Sequence, residues 1–145
     1  MSVIAVAEYP EMSPQMVKIP TPLQVLVVDD ESLIRWSLAE VLADSGCVVD
    51  EAGDGAAVLN LLAHGRRFDV VLLDFRLPDS NDLCLLETIR AMSPGSAVIM
   101  MTAFGTPEMV EGALRLGAYR VVPKPFDLQD MVRLVAEATR PVHGI

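Results

Sequence analysis

The chain has 145 residues, 52% of them hydrophobic, and a formal net charge of -9. That length suits one domain that buries a core without metals or disulfides, and the apolar content excludes wholesale disorder. The acidity disfavours direct binding of a nucleic-acid backbone and suits a divalent cation or a basic patch on a protein partner. Cys47 and Cys84 form no C-x-x-C pair, so neither a disulfide framework nor a zinc site is expected. Both are read as packing thiols, which suits a reducing cytoplasm. No apolar run approaches the roughly 20 residues of a membrane span. The apolar start, residues 1–7, lacks a basic n-region and is soon followed by Glu8 and Glu11, unlike a signal peptide.

Residues 1–22 carry Pro10, Pro14, Pro20 and Pro22 without sustained periodicity and read as a mobile N-terminal arm. The first strand is expected over 24–28. A helix over 32–45 follows, with Ile34, Leu38, Val41 and Leu42 on one face and Gly46 as its stop. A strand over 48–52 leads to a helix over 56–64, closed by Gly65. The run 70–73 is short and wholly apolar, the pattern of a strand buried on both faces. A helix over 83–92 and a strand over 97–101 come next. Pro107 suits the first position of a helix that runs to 116, where Gly117 ends it. The last strand is expected over 119–122. Asp127 is a good N-cap for a final helix with Leu128, Met131, Val132 and Val135 on one face. Strict alternation of strand and helix implies an α/β fold, a parallel sheet with helices on both faces. No internal repeat or low-complexity tract interrupts it.

Ligands of such sheets bind beyond the carboxyl ends of the strands. The polar residues there are Asp29, Asp30 and Glu31 after the first strand, Asp74 after the third, Thr102 after the fourth and Lys124 after the fifth. Carboxylates gathered on one rim repel one another and tend to hold protons. A hard cation such as Mg2+ relieves this, binding through a few carboxylates while keeping several waters. Asp74 then stays an anion and can act as a nucleophile toward phosphorus. Phosphoryl transfer needs placement and positive charge more than covalent chemistry. The Lys124 ammonium and the Thr102 hydroxyl supply part of that.

The segments Val-Val-Asp29-Asp30-Glu31, Leu-Leu-Asp74-Phe-Arg-Leu-Pro78-Asp79, Met-Thr102-Ala103-Phe-Gly and Lys124-Pro125-Phe126 together resemble the response-regulator receiver family of two-component signalling. The resemblance covers roughly residues 23–140, taken as the receiver domain, with 141–145 as a C-terminal tail. It implies a flavodoxin-like, doubly wound sheet of strand order 2-1-3-4-5. It implies Asp74 as phosphoacceptor and Asp30 as the direct ligand of Mg2+, with Asp29 helping directly or through water. The backbone carbonyl of Arg76 would complete the protein's share of the metal shell. Thr102 and Lys124 would contact the phosphoryl oxygens, and the Lys124–Pro125 peptide would be cis. The donor would be a sensor histidine kinase or a phosphotransfer protein. The output would be an effector protein or a homodimer formed through the fourth and fifth helices, with no nucleic acid or membrane contacted directly. The chain would be a cytoplasmic phosphoacceptor that assists its own phosphorylation and dephosphorylation, and no enzyme in the ordinary sense. The stretches Met-Thr-Ala-Phe-Gly-Thr-Pro-Glu and Lys-Pro-Phe-Asp-Leu look most like receivers of the nitrogen-regulation type. Those usually precede an ATPase module and a DNA-binding module, neither of which the 145 residues contain.

Two positions depart from the family pattern. Val121 stands where a switch Tyr or Phe is usual, three residues before the lysine. Asp82 stands where Gly is common, eight residues after the phosphoacceptor, and is expected to cap the third helix. Other readings carry less. A phosphatase of the haloacid-dehalogenase type would need an acid at Arg76. A nucleotide or flavin binder would need a Gly-rich loop after the first strand. A receiver-shaped module independent of phosphate is suggested only by Val121. The acids after the first strand could simply favour a helix N-terminus, Thr102 could be a surface hydroxyl, His64 reads as solvated or facing the dipole of a helix end, and His143 reads as solvated. Trp36 and the methionines read as core or partner-contact residues.

Overall fold

The structure, a computed structural model, describes residues 22–139. The expected arm over 1–22, apart from Pro22, the tail over 141–145 and His143 therefore lie outside the described residues. Five strands and five helices alternate: β1 (Gln24–Val28), α1 (Ser32–Asp44), β2 (Val48–Ala52), α2 (Gly55–Ala63) and β3 (Val70–Asp74). They continue with α3 (Cys84–Met92), β4 (Ala97–Thr102), α4 (Pro107–Arg115), β5 (Arg120–Pro123) and α5 (Leu128–Ala138). All neighbouring strands pair in parallel, in the order β2-β1-β3-β4-β5. This is the doubly wound, flavodoxin-like sheet expected, with β3 at its centre between β1 and β4.

Alternation along the central strands divides two cores. Val25, Val27, Val70, Leu72, Ile99 and Met101 face Leu38 and Leu42 of α1 and Met131 and Val135 of α5. Leu26, Val28, Val71, Leu73, Val98 and Met100 face the other side, against Val58 and Leu62 of α2, Leu85, Leu86 and Ile89 of α3 and Ala113 of α4. Every residue of β3 is buried, which explains why its sequence shows no polar alternation.

Helix ends follow local chemistry. Gly46 and Gly117 take φ of +97° and +102° just past α1 and α4, a conformation that a side chain would strain. The α2 helix begins one residue earlier than expected, because Asp54 caps it by accepting from the Ala57 N–H at 2.8 Å. Thr106 and Asp127 cap α4 and α5 in the same way. Asp82 works from one place before the cap of α3. Its carboxylate accepts from the Cys84 N–H at 2.9 Å, while Leu83 holds the cap position. The expectation of two packing thiols is corrected for Cys84, which is exposed. It opens α3 on the solvent side, because Leu85, Leu86 and Ile89 form the buried face. Trp36 is also outside the core, at 57% exposure, whereas Met100, Met101 and Met131 are buried in it. His64 is exposed at the end of α2, its Nδ1 lying 2.8 Å from the Asn60 carbonyl oxygen. No helix among the described residues is long and apolar enough to cross a membrane.

Candidate functional site

The carboxyl ends of β1, β3, β4 and β5 bring the chemistry together. Asp74 and Thr102 are the last residues of β3 and β4, each strand running one residue further than the apolar pattern indicated. Register sets their heights, with Asp74 opposite Met101 and Thr102 opposite Pro123. The Lys124 N–H then donates to the Thr102 carbonyl at 2.8 Å, which fixes the lysine beside β4. The Lys124–Pro125 peptide is cis, as the resemblance implied.

Carboxylate oxygens of Asp29, Asp30 and Asp74 all lie within 4.8 Å of one another. Asp29 is fully buried, Asp74 nearly so, and Asp30 is exposed. Lys124 closes the cluster, its Nζ 2.9 Å from Asp29 Oδ2 and 3.2 Å from Asp74 Oδ1. The second Asp29 oxygen accepts from the Glu31 N–H at 2.9 Å. Both Asp29 oxygens thus have protein partners. Asp30 opens toward solvent, where a hydrated cation could reach it.

Electrostatics follow from this crowding. Burial, and after it the Asp29 charge, push the Asp74 pKa up from 3.8 to about 6, against the pull of Lys124 and of the Arg76 N–H. Burial works against the Lys124 ammonium. The hydrogen bond to Asp29 and the charges of Asp74 and Asp29 outweigh it, and the Lys124 pKa is raised. Three carboxylates facing one ammonium leave an excess of negative charge. A divalent cation would remove that excess, so the donor set fits Mg2+: hard oxygens, few of them, on one open side.

A pocket of about 310 Å3 lies over the cluster, lined by Asp30, Glu31, Asp74, Arg76, Thr102, Ala103, Phe104 and Lys124. Every expected site residue except the buried Asp29 therefore borders one cavity. Thr102 does not bond to Asp74 directly. Its Oγ1 accepts from the Phe104 N–H at 3.2 Å, which leaves the hydroxyl proton free to be donated into the pocket. Val121, at the departed switch position, is half-buried against the α2–α4 core.

The family model for the response regulator receiver domain matches residues 25–136. This chain belongs to that family. The receiver is 41% identical to the DNA-binding transcriptional regulator NtrC of Escherichia coli over 114 residues, 79% of this chain and 24% of that protein. The regulatory protein AtoC of Escherichia coli is 36% identical over 115 residues, again 79% of this chain and 25% of the other. The receiver thus spans about a quarter of the length of these curated relatives. Among solved structures, a CheY-like receiver domain protein from Methanospirillum hungatei superposes with a TM-score of 0.78 at 28% identity, covering 82% of this chain and 94% of the other. The receiver domain of NtrX from Brucella abortus gives 0.70 at 36% identity, covering 79% and 97%. The likeness to NtrC and NtrX agrees with the nitrogen-regulation character read from the motifs.

The geometry also exposes residues that motif reading passed over. Arg35 of α1 donates from Nη1 to the Asp29 carbonyl at 2.7 Å and from Nε to Glu51 of β2 at 3.0 Å. Asp79, noticed only as part of a motif, reaches back across 24 residues. Its two oxygens accept from the Gly55 and Ala56 N–H groups at 2.8 and 3.0 Å, at the free end of α2. These donors hold the Asp79 pKa below its usual value. Nothing in local periodicity marks either residue, because Glu51 lies 16 residues from Arg35 and Gly55 lies 24 residues from Asp79.

Proposed function

We propose that Asp74 accepts a phosphoryl group from a phosphohistidine donor, a sensor histidine kinase or a phosphotransfer protein, and that the receiver then switches partner binding. The observation that carries this is Asp74 at the end of a fully buried strand, beside two further acids and under the Lys124 ammonium. Asp30 and Asp74 would hold Mg2+ with the Arg76 carbonyl, and Asp29 would support the site through its position and charge. Bound there, the ion would neutralise the carboxylates and the charge gathering on the phosphoryl oxygens.

The residues of this chain do the rest. Asp74 Oδ attacks phosphorus, a P–O bond to the carboxylate forms, and the P–N bond of the donor breaks. The leaving imidazole keeps the bonding pair and takes its proton from water. Lys124, already 3.2 Å from Asp74, meets the negative charge that arrives. Thr102 donates a hydrogen bond from its hydroxyl to a phosphoryl oxygen. Water brought to the acyl phosphate later reverses the modification, so the receiver assists its own dephosphorylation without being an enzyme acting on a separate substrate.

Residues 23–140 make up the receiver unit in this reading, which places the protein in the cytoplasm with its donor. The output partner is an effector protein or a second copy, engaged through α4 and α5. Incubation with Mg2+ and acetyl phosphate, followed by peptide mass spectrometry, tests the assignment. Phosphate should appear on Asp74 and be absent from Asp74→Asn. Wild-type labelling of Asp74→Asn would refute it. Failure of the native chain to label would favour a module that works without phosphate, as the missing aromatic at Val121 would permit.

A further inference from the structure

We infer that Arg35 is a positioning residue for the cation site, acting through the backbone that joins Asp29 to Asp30. The inference rests on the reading of Asp29, Asp30 and Asp74 as a Mg2+ site.

Both backbone polar groups of Asp29 are tied down. Its N–H donates to the Ala52 carbonyl at 3.1 Å, and its carbonyl accepts from Arg35 Nη1 at 2.7 Å. That carbonyl belongs to the Asp29–Asp30 peptide, which is a rigid plane. Holding its oxygen sets the direction from which the Asp30 backbone departs. The Asp30 carboxylate makes no hydrogen bond of its own to the described residues, so its aim toward Asp29 and Asp74 is inherited from this plane. Arg35 is in turn held from the far side. Its Nε donates to Glu51 Oε1 at 3.0 Å, and its side chain is only 23% exposed against 42% for Glu51. A planar guanidinium can face both partners at once, which an ammonium on a flexible stem does less well. The last residues of β2 thereby brace the turn that carries the metal-binding acid. Groups that orient ligands in this way commonly change metal affinity by about 10- to 100-fold when removed.

Charge alone would predict the opposite sign. Arg35 is a cation near an acid cluster, so deleting it should tighten Mg2+ binding if only through-space attraction mattered. Positioning predicts weakening, and the direction of the change therefore decides between the two.

The test is a Mg2+ titration of the full chain followed by backbone amide shifts in NMR. It would use the native sequence and the variants Arg35→Met, Arg35→Lys, Glu51→Gln and Asp30→Ala. Arg35→Met should raise the Kd about tenfold while its amide spectrum stays folded. Glu51→Gln keeps an amide oxygen that can accept from Arg35 Nε and leaves the bond to the Asp29 carbonyl in place, so losing its charge alone should change the Kd by less than about twofold. Arg35→Lys keeps the charge but not the fork, so a rise of more than about threefold there supports positioning even if Arg35→Met fails to fold. An unchanged or lower Kd in a folded Arg35→Met overturns the inference, as does an unchanged Kd in Arg35→Lys. Loss of binding in Asp30→Ala alongside either result leaves the cation site standing and removes only the role of Arg35. Native affinity in Asp30→Ala, or no binding by the native chain, overturns both.

Discussion

Replacing Asp74 by Asn removes one charge from the acid cluster while keeping shape and polarity. The folded-state pKa of Asp74 lies near 6, above its ordinary value of 3.8. The folded chain therefore binds this proton more tightly than the unfolded chain does. That favours folding at low pH, and the benefit is lost as pH rises from about 3.8 to about 6. Above that window the native carboxylate carries its full penalty, which Asn never incurs. A gap of roughly two units is worth about 3 kcal/mol, since each unit is worth about 1.4. Water entering from the open side of the pocket reduces this to about 1–2 kcal/mol. In metal-free buffer with a chelator, Asp74→Asn should thus be the more stable protein at pH 7.5, with a Tm higher by about 4–8 °C. At pH 4 the two proteins should be nearly equal. Mg2+ should narrow the gap at pH 7.5 by stabilising the native acid cluster. Urea unfolding at both pH values, with and without Mg2+, measures each difference. An Asn variant less stable at pH 7.5, or a gap of the same size at pH 4 and 7.5, would refute the reasoning.

Lys124→Met leaves Asp29 and Asp74 without their cation in a buried setting, and should cost about 2–4 kcal/mol at pH 7.5. The cost should shrink at pH 5, where Asp74 is largely protonated, as urea midpoints at the two pH values would reveal. Asp79→Ala should lower the Tm at neutral pH, since two N–H groups of α2 lose their acceptor. The Asp79 pKa is depressed, so this stabilisation is present at neutral pH and fades as the carboxylate protonates in acid. Melting curves of the two proteins should converge there. Without a switch aromatic, a phosphoryl group placed on Asp74 would act through Thr102 and the α4 helix. Amide hydrogen exchange with a phosphoryl mimic bound should change most over residues 102–116 and less around Val121. Changes centred on α2 and α3 would contradict that route.

Much of this was visible in the sequence because it is local. The all-apolar run 70–73, the helix-ending glycines and the Asp127 cap are each read within a turn or a strand length. The acids, hydroxyl and lysine at strand ends were legible because a parallel sheet gathers strand ends onto one rim. The bonds that set their geometry were not. Lys124 meets Asp29 across 95 residues, Asp79 meets Gly55 across 24, and Arg35 meets Glu51 across 16. Such contacts depend on three-dimensional register, of which a single sequence carries no local trace. The exposure of Cys84 was missed for a related reason. Cysteine favours interiors on average, but here the apolar face of α3 begins one residue later.

The rims of the sheet bear on how copies of the molecule meet. Its outermost strands, β2 and β5, are five and four residues long. Asp50 and Glu51 of β2 carry charges, engaged by Arg66 and Arg35. On the other side β5 begins with the exposed Arg120 and ends with Pro123, which has no N–H to offer a neighbour. Short, charged, proline-bearing margins are poor templates for strand addition. A second molecule thus gains little by extending the sheet, and partially opened molecules are guarded against stacking edge to edge into aggregates. Contact through the helical faces would leave undisturbed the strands that carry the acids.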